Sequence, residues 1–220
     1  MRRAPGFSLR LVLSSAIALS VVLPRPSAVW ARSAGPFRIA AGPYVRKGEN
    51  ASSPAVARFT LEGLTVQVEY LEPAARAAFI RSIDPQAGDP FAASSDRGEF
   101  YNTFRVEFDN RSGSDVTFQP GNVILITDRN DQQFPIDLTD LYRTASLAEA
   151  ADPQRLIDDA GRFIFDLSTT IPKGRRLARL LLFGPMPGKW KEFRLHFSYL
   201  QIGTATHTLS FPFHRQSLAG

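Results

Sequence analysis

The stretch that decides the fold reads YNTFRVEFDNRSGSDVTFQPGNVILITDRNDQQFPI and covers residues 101–136. Near its start, the apolar side chains Phe104, Val106 and Phe108 alternate with charged residues. An alternation of period two is typical of a β-strand with one buried and one solvated face. The turn-forming residues Asn110–Ser114 end this strand, and two further short apolar runs follow. The stretch therefore predicts a β-meander.

Apolar runs of strand length recur through the rest of the chain, separated by Gly, Pro and polar residues. Outside the meander they are 37–45, 55–60, 64–71, 162–167, 177–183 and a C-terminal pair. About eight to ten short strands in all are typical of an all-β fold, here an immunoglobulin-like antiparallel β-sandwich. Leu177–Phe183 is almost continuously apolar, so we expect it at the centre of its sheet.

Two segments have helical rather than strand character. Pro73 stands where a first helical residue needs no amide hydrogen, and the alanines after it favour a short helix near 73–83. A helical insert is predicted near 138–159, where an Asp-Pro pair offers an N-cap and a first helical residue. In the polar loop 84–98, Phe91 is the large apolar residue, and we expect it to pin the loop to the core.

The C-terminal part predicts a β-hairpin. Apolar residues occupy odd positions on both arms, namely Phe193, Leu195, Phe197 and Tyr199, then Leu209, Phe211 and Phe213. A three-residue loop at 201–203 would pair these positions on one face, with Gly203 in the left-handed conformation. By the same alternation His196 and His214 point outward, and about six residues of strand, roughly 20 Å, separate them.

The N-terminal residues have the three-part layout of a secretory signal. A basic start precedes the apolar stretch Leu11–Leu23, and Val29–Ala31 supplies small residues at the cleavage positions. A retained membrane anchor is the alternative, but this stretch is too short to cross roughly 30 Å of hydrocarbon as a helix. The expected division is a signal peptide over 1–31, a linker over 32–36 and a single β-sandwich domain over 37–220.

Net charge argues against a nucleic-acid partner. The chain carries 26 Lys and Arg against 21 Asp and Glu, a formal charge of +5. Four of the arginines lie in the predicted signal, where no acid occurs, so the mature chain is close to neutral. The chain has no Cys, so disulfides cannot stabilise it, and an exported domain of this kind depends on its apolar core. We expect no stable membrane insertion once the signal is removed.

Residues for catalysis or metal binding do not form a recognisable pattern. The three histidines are spread along the C-terminal hairpin, and no Cys is present to complete a transition-metal site. The run Asp128–Asp131 has several oxygen ligands but lacks the spacing and the later Glu of a calcium loop, so it predicts a turn. No Gly-rich phosphate loop or Gly-x-Ser-x-Gly elbow occurs. We therefore predict no enzyme activity and no cofactor.

One basic cluster is a candidate binding site. Its members are Lys173, Arg175, Arg176 and Arg179, which lie before and within the apolar run 177–183. Such a cluster could bind an anion or an acidic partner. The alternative is a solvated strand edge that charge protects against aggregation.

Two groups of residues carry a resemblance to a known class of domain. The first is Phe104-x-Val106-x-Phe108-x-Asn110-x-Ser112, followed by Phe118-Gln119-Pro120 and Val123-x-Leu125-x-Thr127-Asp128. The second is Ile171-Pro172-Lys173-Gly174, followed by Leu182-Phe183. Together they resemble the core of bacterial exported immunoglobulin-like domains of unknown function. The resemblance implies the fold and export, and it brings no catalytic residue with it.

These observations lead to two expectations about function. The first is a periplasmic or secreted, non-catalytic module that binds an envelope protein or another envelope component. The second is a small-ligand or acidic-polysaccharide binder, with a site between the loop 84–98 and the helical insert.

Overall fold

The computed structural model describes residues 37–43, 56–92, 101–147, 152–186 and 188–217. Their strands in chain order are β1 (Phe37–Ala41), β2 (Val56–Leu61), β3 (Leu64–Leu71), β4 (Asn102–Asn110), β5 (Val116–Phe118), β6 (Val123–Thr127), β7 (Gln132–Gln133), β8 (Thr169–Ile171), β9 (Arg176–Phe183), β10 (Glu192–Ile202) and β11 (Ala205–Ser217). The helices are α1 (Pro73–Ile83), α2 (Leu138–Leu147) and α3 (Pro153–Gly161), and a 3-10 turn covers Pro120–Asn122.

The strands form two antiparallel sheets. The four-stranded sheet has the order β2-β3-β4-β9. The seven-stranded sheet runs β1-β11-β10-β5-β8, with β6 also paired to β10 and β7 paired to β6. The first strand of the described chain therefore pairs with the last, with Phe37 opposite Ser217. The predicted all-β sandwich is confirmed, and so is the helix at 73–83.

The core lies between the two sheets and is rich in phenylalanine. Phe104, Val106 and Phe108 of β4 are fully buried, as the alternation in the sequence predicts. The ring of Phe104 contacts Phe193 and Phe213 of the opposite sheet, with centroids 5.7 and 5.4 Å away. Edge-to-face pairs of this kind add to the stability that apolar burial provides.

A second apolar cluster lies on the outer face of the four-stranded sheet. Here α1, α2 and α3 pack over β3 and β9, and Leu180 and Leu182 join side chains of the helices and loops. Both faces of β9 are therefore covered, which explains its continuous apolar sequence. The prediction that this strand is central is wrong, because β9 is at the edge of its sheet.

The edge of β9 is capped by irregular chain rather than by another strand. The amide of Phe165 donates to the carbonyl of Leu180, and the amide of Leu180 donates to the carbonyl of Phe163, at 2.9 and 2.8 Å. The predicted strand 162–167 is therefore wrong, since only Ile164 makes a single bridge to β9. The apolar side chains of this segment are buried beside the helices and the core instead of forming a strand. The exposed edge that would invite aggregation is thereby covered.

A buried arginine fixes the loop after α1. Arg76 is 1% exposed, and its Nε lies 2.9 Å from the carboxylate of Asp89. Its guanidinium also donates to the hydroxyl of Thr103 and to the carbonyl of Phe91. Phe91 itself is buried, so its predicted role of pinning the loop is confirmed. At the surface, the amide of Gln86, together with the Arg162 guanidinium, lowers the pKa of Asp84.

A fully buried asparagine organises the turn of the meander. The side-chain amide of Asn110 donates to the carbonyls of Ser114 and Ile171, at 3.0 and 2.9 Å. Its Oδ1 accepts from the amide and the hydroxyl of Ser112. Every polar atom of this side chain therefore has a partner, as burial requires. The segment 110–112 is a turn, as its sequence indicates.

The predicted signal over 1–31 and the linker over 32–36 lie outside the described residues, as do residues 93–98 of the loop 84–98 and residues 148–151 of the helical insert. All described residues belong to one compact unit, Ser33–Gly220. None of the described helices combines the length and apolarity needed to cross a bilayer.

Replacing the buried asparagine tests its role in the turn. Asn110→Ala removes the partner of the carbonyls of Ser114 and Ile171 and of two Ser112 donors, so we expect a loss of about 3 kcal/mol in the free energy of unfolding. Asn122→Ala is the control, because its amide donates to the side chain of Gln119 at the surface. Urea denaturation measures both, and equal losses in the two variants would contradict the assignment.

The buried ion pair allows a second stability test. Asp89→Ala leaves the guanidinium of Arg76 buried without the carboxylate at 2.9 Å, and we expect a loss of about 3 kcal/mol in unfolding free energy. The control is Asp140→Ala, which breaks the exposed pair with Arg143 and should change stability by at most about 1 kcal/mol. Thermal and chemical denaturation provide the comparison. A mild effect at Asp89 would show that this ion pair is not what fixes the loop.

Candidate functional site

The hairpin β10–β11 has a different loop from the predicted one. Its turn has two residues, Gly203 and Thr204, because Ile202 pairs with Ala205. Gly203 has φ +57°, as the first position of a two-residue hairpin loop requires in a type II′ turn. A loop at 201–203 would have placed Phe197 opposite His207, whereas Phe197 pairs with Leu209. The predicted matching of odd positions on the two arms is nevertheless present up to Phe197, because a β-bulge between Phe197 and Leu200 restores it.

The bulge changes where one tyrosine points. On β10 three residue steps, from Phe197 to Leu200, oppose two steps on β11. The strict alternation predicts Tyr199 in the core, but Tyr199 is 65% exposed and Leu200 is fully buried in its place. That prediction is wrong because an extra residue in one strand reverses the side of the sheet to which each later side chain of that strand points.

The strand on the other side of β10 is interrupted at the same level. Thr117 pairs with Gln201 and Val123 pairs with Phe197, so six residue steps on this strand span four on β10. The excess is taken up by the 3-10 turn Pro120–Asn122, which separates β5 from β6. The bulge and this turn together form a local dislocation of the sheet.

A groove of about 250 Å³ opens at the dislocation, on the outer face of the seven-stranded sheet. We call it the Tyr199 groove, and its lining residues are Thr117, Gln119, Asn122, Tyr199, Gln201 and Thr206. They supply three amides, two aliphatic hydroxyls and one phenol. These groups donate and accept hydrogen bonds but carry no charge near neutral pH.

Two hydrogen bonds hold the amides of the groove in place. The Nδ2 of Asn122 donates to the Oε1 of Gln119 at 2.9 Å, and the Nε2 of Gln201 donates to the carbonyl of Gly203 at 2.8 Å. These bonds use only part of the hydrogen-bonding capacity of each amide. The Nε2 of Gln119, the Oδ1 of Asn122 and the Oε1 of Gln201 can therefore serve a ligand.

A second groove lies towards the other end of the same face. Its volume is about 220 Å³, and its lining residues are Pro43, Ile126, Thr127, Asp128, Glu192, Phe193, Arg194 and Pro212. Unlike the Tyr199 groove, it is charged. The two grooves are separated by roughly 15–17 Å along β10, the distance from Tyr199 to Arg194 at about 3.3 Å per residue.

The residues of the predicted basic cluster do not share one surface. Arg176 pairs with neighbouring acids of β4, with its Nε 2.8 Å from Glu107 and its Nη2 3.8 Å from Asp109. Arg179 is three residues further along β9 and donates to the carbonyl of Ile164 at 3.3 Å. These two arginines therefore have partners within the fold.

The other two members of the cluster are exposed in the turn before β9. The backbone amide of Lys173 donates to the carboxylate of Asp115, and that of Arg175 donates to the carbonyl of Pro172. Both bonds shape the turn and leave the charged ends of Lys173 and Arg175 in solvent.

The histidines do not form a metal site with their neighbours. His214 is 2% exposed and its Nδ1 lies 2.9 Å from the carbonyl of Gly42, so the prediction that it points into solvent is wrong. The reason is that β1 and the residues after it cover this end of β11. Within the described part of the chain, no three His, Asp or Glu side chains cluster closely enough to hold a metal ion.

An arginine clamp joins the two ends of the described chain. The guanidinium of Arg215 lies 4.4 Å from the ring centroid of Phe37 and 4.0 Å from that of Trp190. Burial lowers the pKa of Arg215, while the charge of Asp128 opposes this shift. Cation–π attraction between these groups fastens β1 to β11, so we assign the clamp to the fold.

Comparison with known proteins gives one remote match. No family model and no curated protein matches the chain. Among solved structures the chain is similar to the yjhA protein from Bacillus subtilis, with 11% sequence identity and a TM-score of 0.33. The match covers 64% of this chain and 76% of that chain. At this level of overlap it carries no information about ligand or activity.

The sequence contains two patterns that indicate the dislocation at the Tyr199 groove. Along β10 the apolar residues occupy odd positions up to Phe197 and then even positions, at Leu200 and Ile202. Such a change of parity within one strand indicates a bulge. On the neighbouring strand, Pro120-Gly121 indicates a break at the same level.

The bulge predicts opposite outcomes for two aromatic residues that are two positions apart. Phe197→Ala removes a buried ring and should lower the free energy of unfolding by about 3–5 kcal/mol. Tyr199→Ala removes an exposed ring and should change it by no more than about 0.5 kcal/mol. Urea denaturation compares the two variants. A large loss for Tyr199→Ala would place that ring in the core and remove the groove.

Proposed function

We propose that this chain is an exported, non-catalytic binding module of the bacterial envelope, with an immunoglobulin-like sandwich as its scaffold. The periplasm or the cell exterior is its place of action. Its ligand or partner binds on the outer face of the seven-stranded sheet. The observation that carries the proposal is the Tyr199 groove, where a dislocation of the sheet turns an aromatic side chain outward among polar groups.

The two faces of the sandwich differ in a way that supports this assignment. The three helices pack on the four-stranded sheet and bury the part of its outer face around Leu71, Leu180 and Leu182. On the seven-stranded sheet many outward side chains are exposed, namely Arg194, Tyr199, Gln201, Thr206, Thr208, Ser210 and Pro212. A rigid sheet with exposed side chains on one face is a suitable platform for binding, because its backbone is already ordered.

The chemistry of the groove supports binding rather than catalysis. Amides and aliphatic hydroxyls do not change protonation near neutral pH, and they fix a ligand by hydrogen bonds.

Export is supported by the basic start, the apolar stretch and the small residues at positions 29–31 of the sequence.

An acidic polysaccharide is the alternative ligand, with Lys173 and Arg175 as its contacts. Both side chains are exposed in one turn, and neither forms an ion pair with a described carboxylate. The alternative is weaker, because Arg176 and Arg179 are engaged inside the fold. Replacement of Lys173 and Arg175 by Gln would abolish binding in this case alone.

A substitution on the exposed face tests the proposal. Ser210 lies on β11 between the two grooves, and Ser210→Arg introduces a bulky charge there. We expect the purified wild-type protein to sediment with isolated bacterial envelopes, and this variant to do so several-fold less. Thr60→Arg is the matched control, since it places the same charge on an exposed strand position of the other sheet. Equal retention of the two variants would contradict the proposal.

Export has its own measurement. After expression of the full chain in a bacterium, the mature protein should be found in the periplasm or medium, with Arg32 as its N-terminal residue. A full-length protein that stays in the cytoplasm would contradict this part of the proposal.

A further inference from the structure

The Tyr199 groove has a lining that selects for the charge of its ligand. All six lining residues are uncharged, and the amides can each donate and accept. A ligand with a formal charge would lose hydration there without gaining an opposite charge. The groove therefore favours an uncharged ligand that both donates and accepts hydrogen bonds at several points.

The exposed ring adds a second requirement. Tyr199 is 65% exposed, so much of its ring is open to contact with a flat apolar surface. A pyranose ring has such a surface, since its C–H groups lie on one face and its hydroxyls surround the edge. Stacking of this face on an aromatic ring, with hydroxyls bound by nearby amides, combines both kinds of group that the groove presents.

The floor beneath the groove is rigid. Phe118 and Phe197 lie under it with ring centroids 5.5 Å apart, and both are buried. The two internal amide bonds at 2.9 and 2.8 Å hold Asn122, Gln119 and Gln201 before any ligand arrives. A preformed site loses less conformational freedom when it binds a ligand.

We propose that the Tyr199 groove binds an uncharged glycan, with one sugar ring stacked on Tyr199 and its hydroxyls bound to Gln119, Asn122 and Gln201. This inference rests on the proposed function and names the ligand class of its site. Other ligand classes fit less well, because nucleic acids need basic contacts and lipids need an apolar cavity. The expected location differs from the one predicted between the loop 84–98 and the helical insert.

The size of the groove sets the expected affinity. At about 250 Å³ it is at or below the lower limit of ordinary small-molecule clefts, so it holds about one sugar ring. Contacts of this extent correspond to a dissociation constant on the order of 1 mM. Neighbouring rings of an oligosaccharide would lie on the open sheet beside the groove.

NMR titration of the purified protein tests the inference. The probes are cellohexaose, maltohexaose, mannohexaose and chitohexaose, each to about 10 mM, a range set by the expected affinity. At least one should shift the side-chain amide signals of Gln119, Asn122 and Gln201. Hexagalacturonate, which is acidic, should shift them less. No shift with any neutral probe, or tighter binding of the acidic one, would overturn the inference.

Variants identify the stacking residue. Tyr199→Ala should weaken binding of the active probe by about tenfold or more, while Tyr199→Phe keeps the ring and should stay within about threefold of the wild type. Tyr142→Ala is the matched control, because Tyr142 is also exposed but lies on α2. Binding that Tyr199→Ala leaves unchanged would overturn the inference.

Failure of this inference can be told apart from failure of the proposed function. If Ser210→Arg lowers envelope retention but no neutral glycan shifts the amide signals, the face binds another partner and only the glycan assignment is wrong. If a neutral glycan binds through Tyr199 but envelope retention does not respond to Ser210→Arg, the groove is correct and the envelope role is wrong.

Discussion

The interaction on which this fold depends is the packing of phenylalanine rings across the space between the sheets. Phe104 is at its centre, in contact with Tyr70 and Phe183 on its own sheet and with Phe193 and Phe213 on the other. A second group, around Phe118, includes Phe108, Phe165 and Phe197. Because β4 contributes to both groups, the register of this strand fixes the relative position of the two sheets.

Among the described residues, the helices pack on one sheet and not on the other. The helices between β3 and β4, and between β7 and β8, all return to the outer face of the four-stranded sheet. The seven-stranded sheet has polar and exposed side chains on its outer face instead. The dislocation at Tyr199 therefore occurs on a face against which none of the described helices packs, and the buried rings of Phe118 and Phe197 lie beneath it.

Much of the fold could be predicted from periodicity alone. The alternation at Phe104–Phe108 and the proline at the start of α1 depend on neighbours in the sequence, so they predict local structure correctly. The errors concern long-range contacts. Leu177–Phe183 is apolar on both sides because helices cover its outer face, and nothing in that run distinguishes helical cover from a neighbouring strand. Segment 162–167 is also apolar because the side chains of residues 163–165 are buried, although it caps the edge of β9 and forms no strand.

The candidate site was harder to predict than the fold. Lys173, Arg175, Arg176 and Arg179 are close in sequence, but alternation along β9 sends successive side chains to opposite faces. The residues of the Tyr199 groove are close in space but distant in sequence, because they come from three strands and a turn. A bulge in one strand and a break in the next have to be recognised together before those six residues can be placed side by side.

The pairing of β1 with β11 also affects how the molecule is made. Because Phe37 is opposite Ser217, β1 cannot pair with β11 until the ribosome has synthesised the end of β11. Contacts this distant in sequence form slowly, because a long loop must close first. The pairing that adds β1 to the seven-stranded sheet is therefore a late event in the synthesis and folding of the chain.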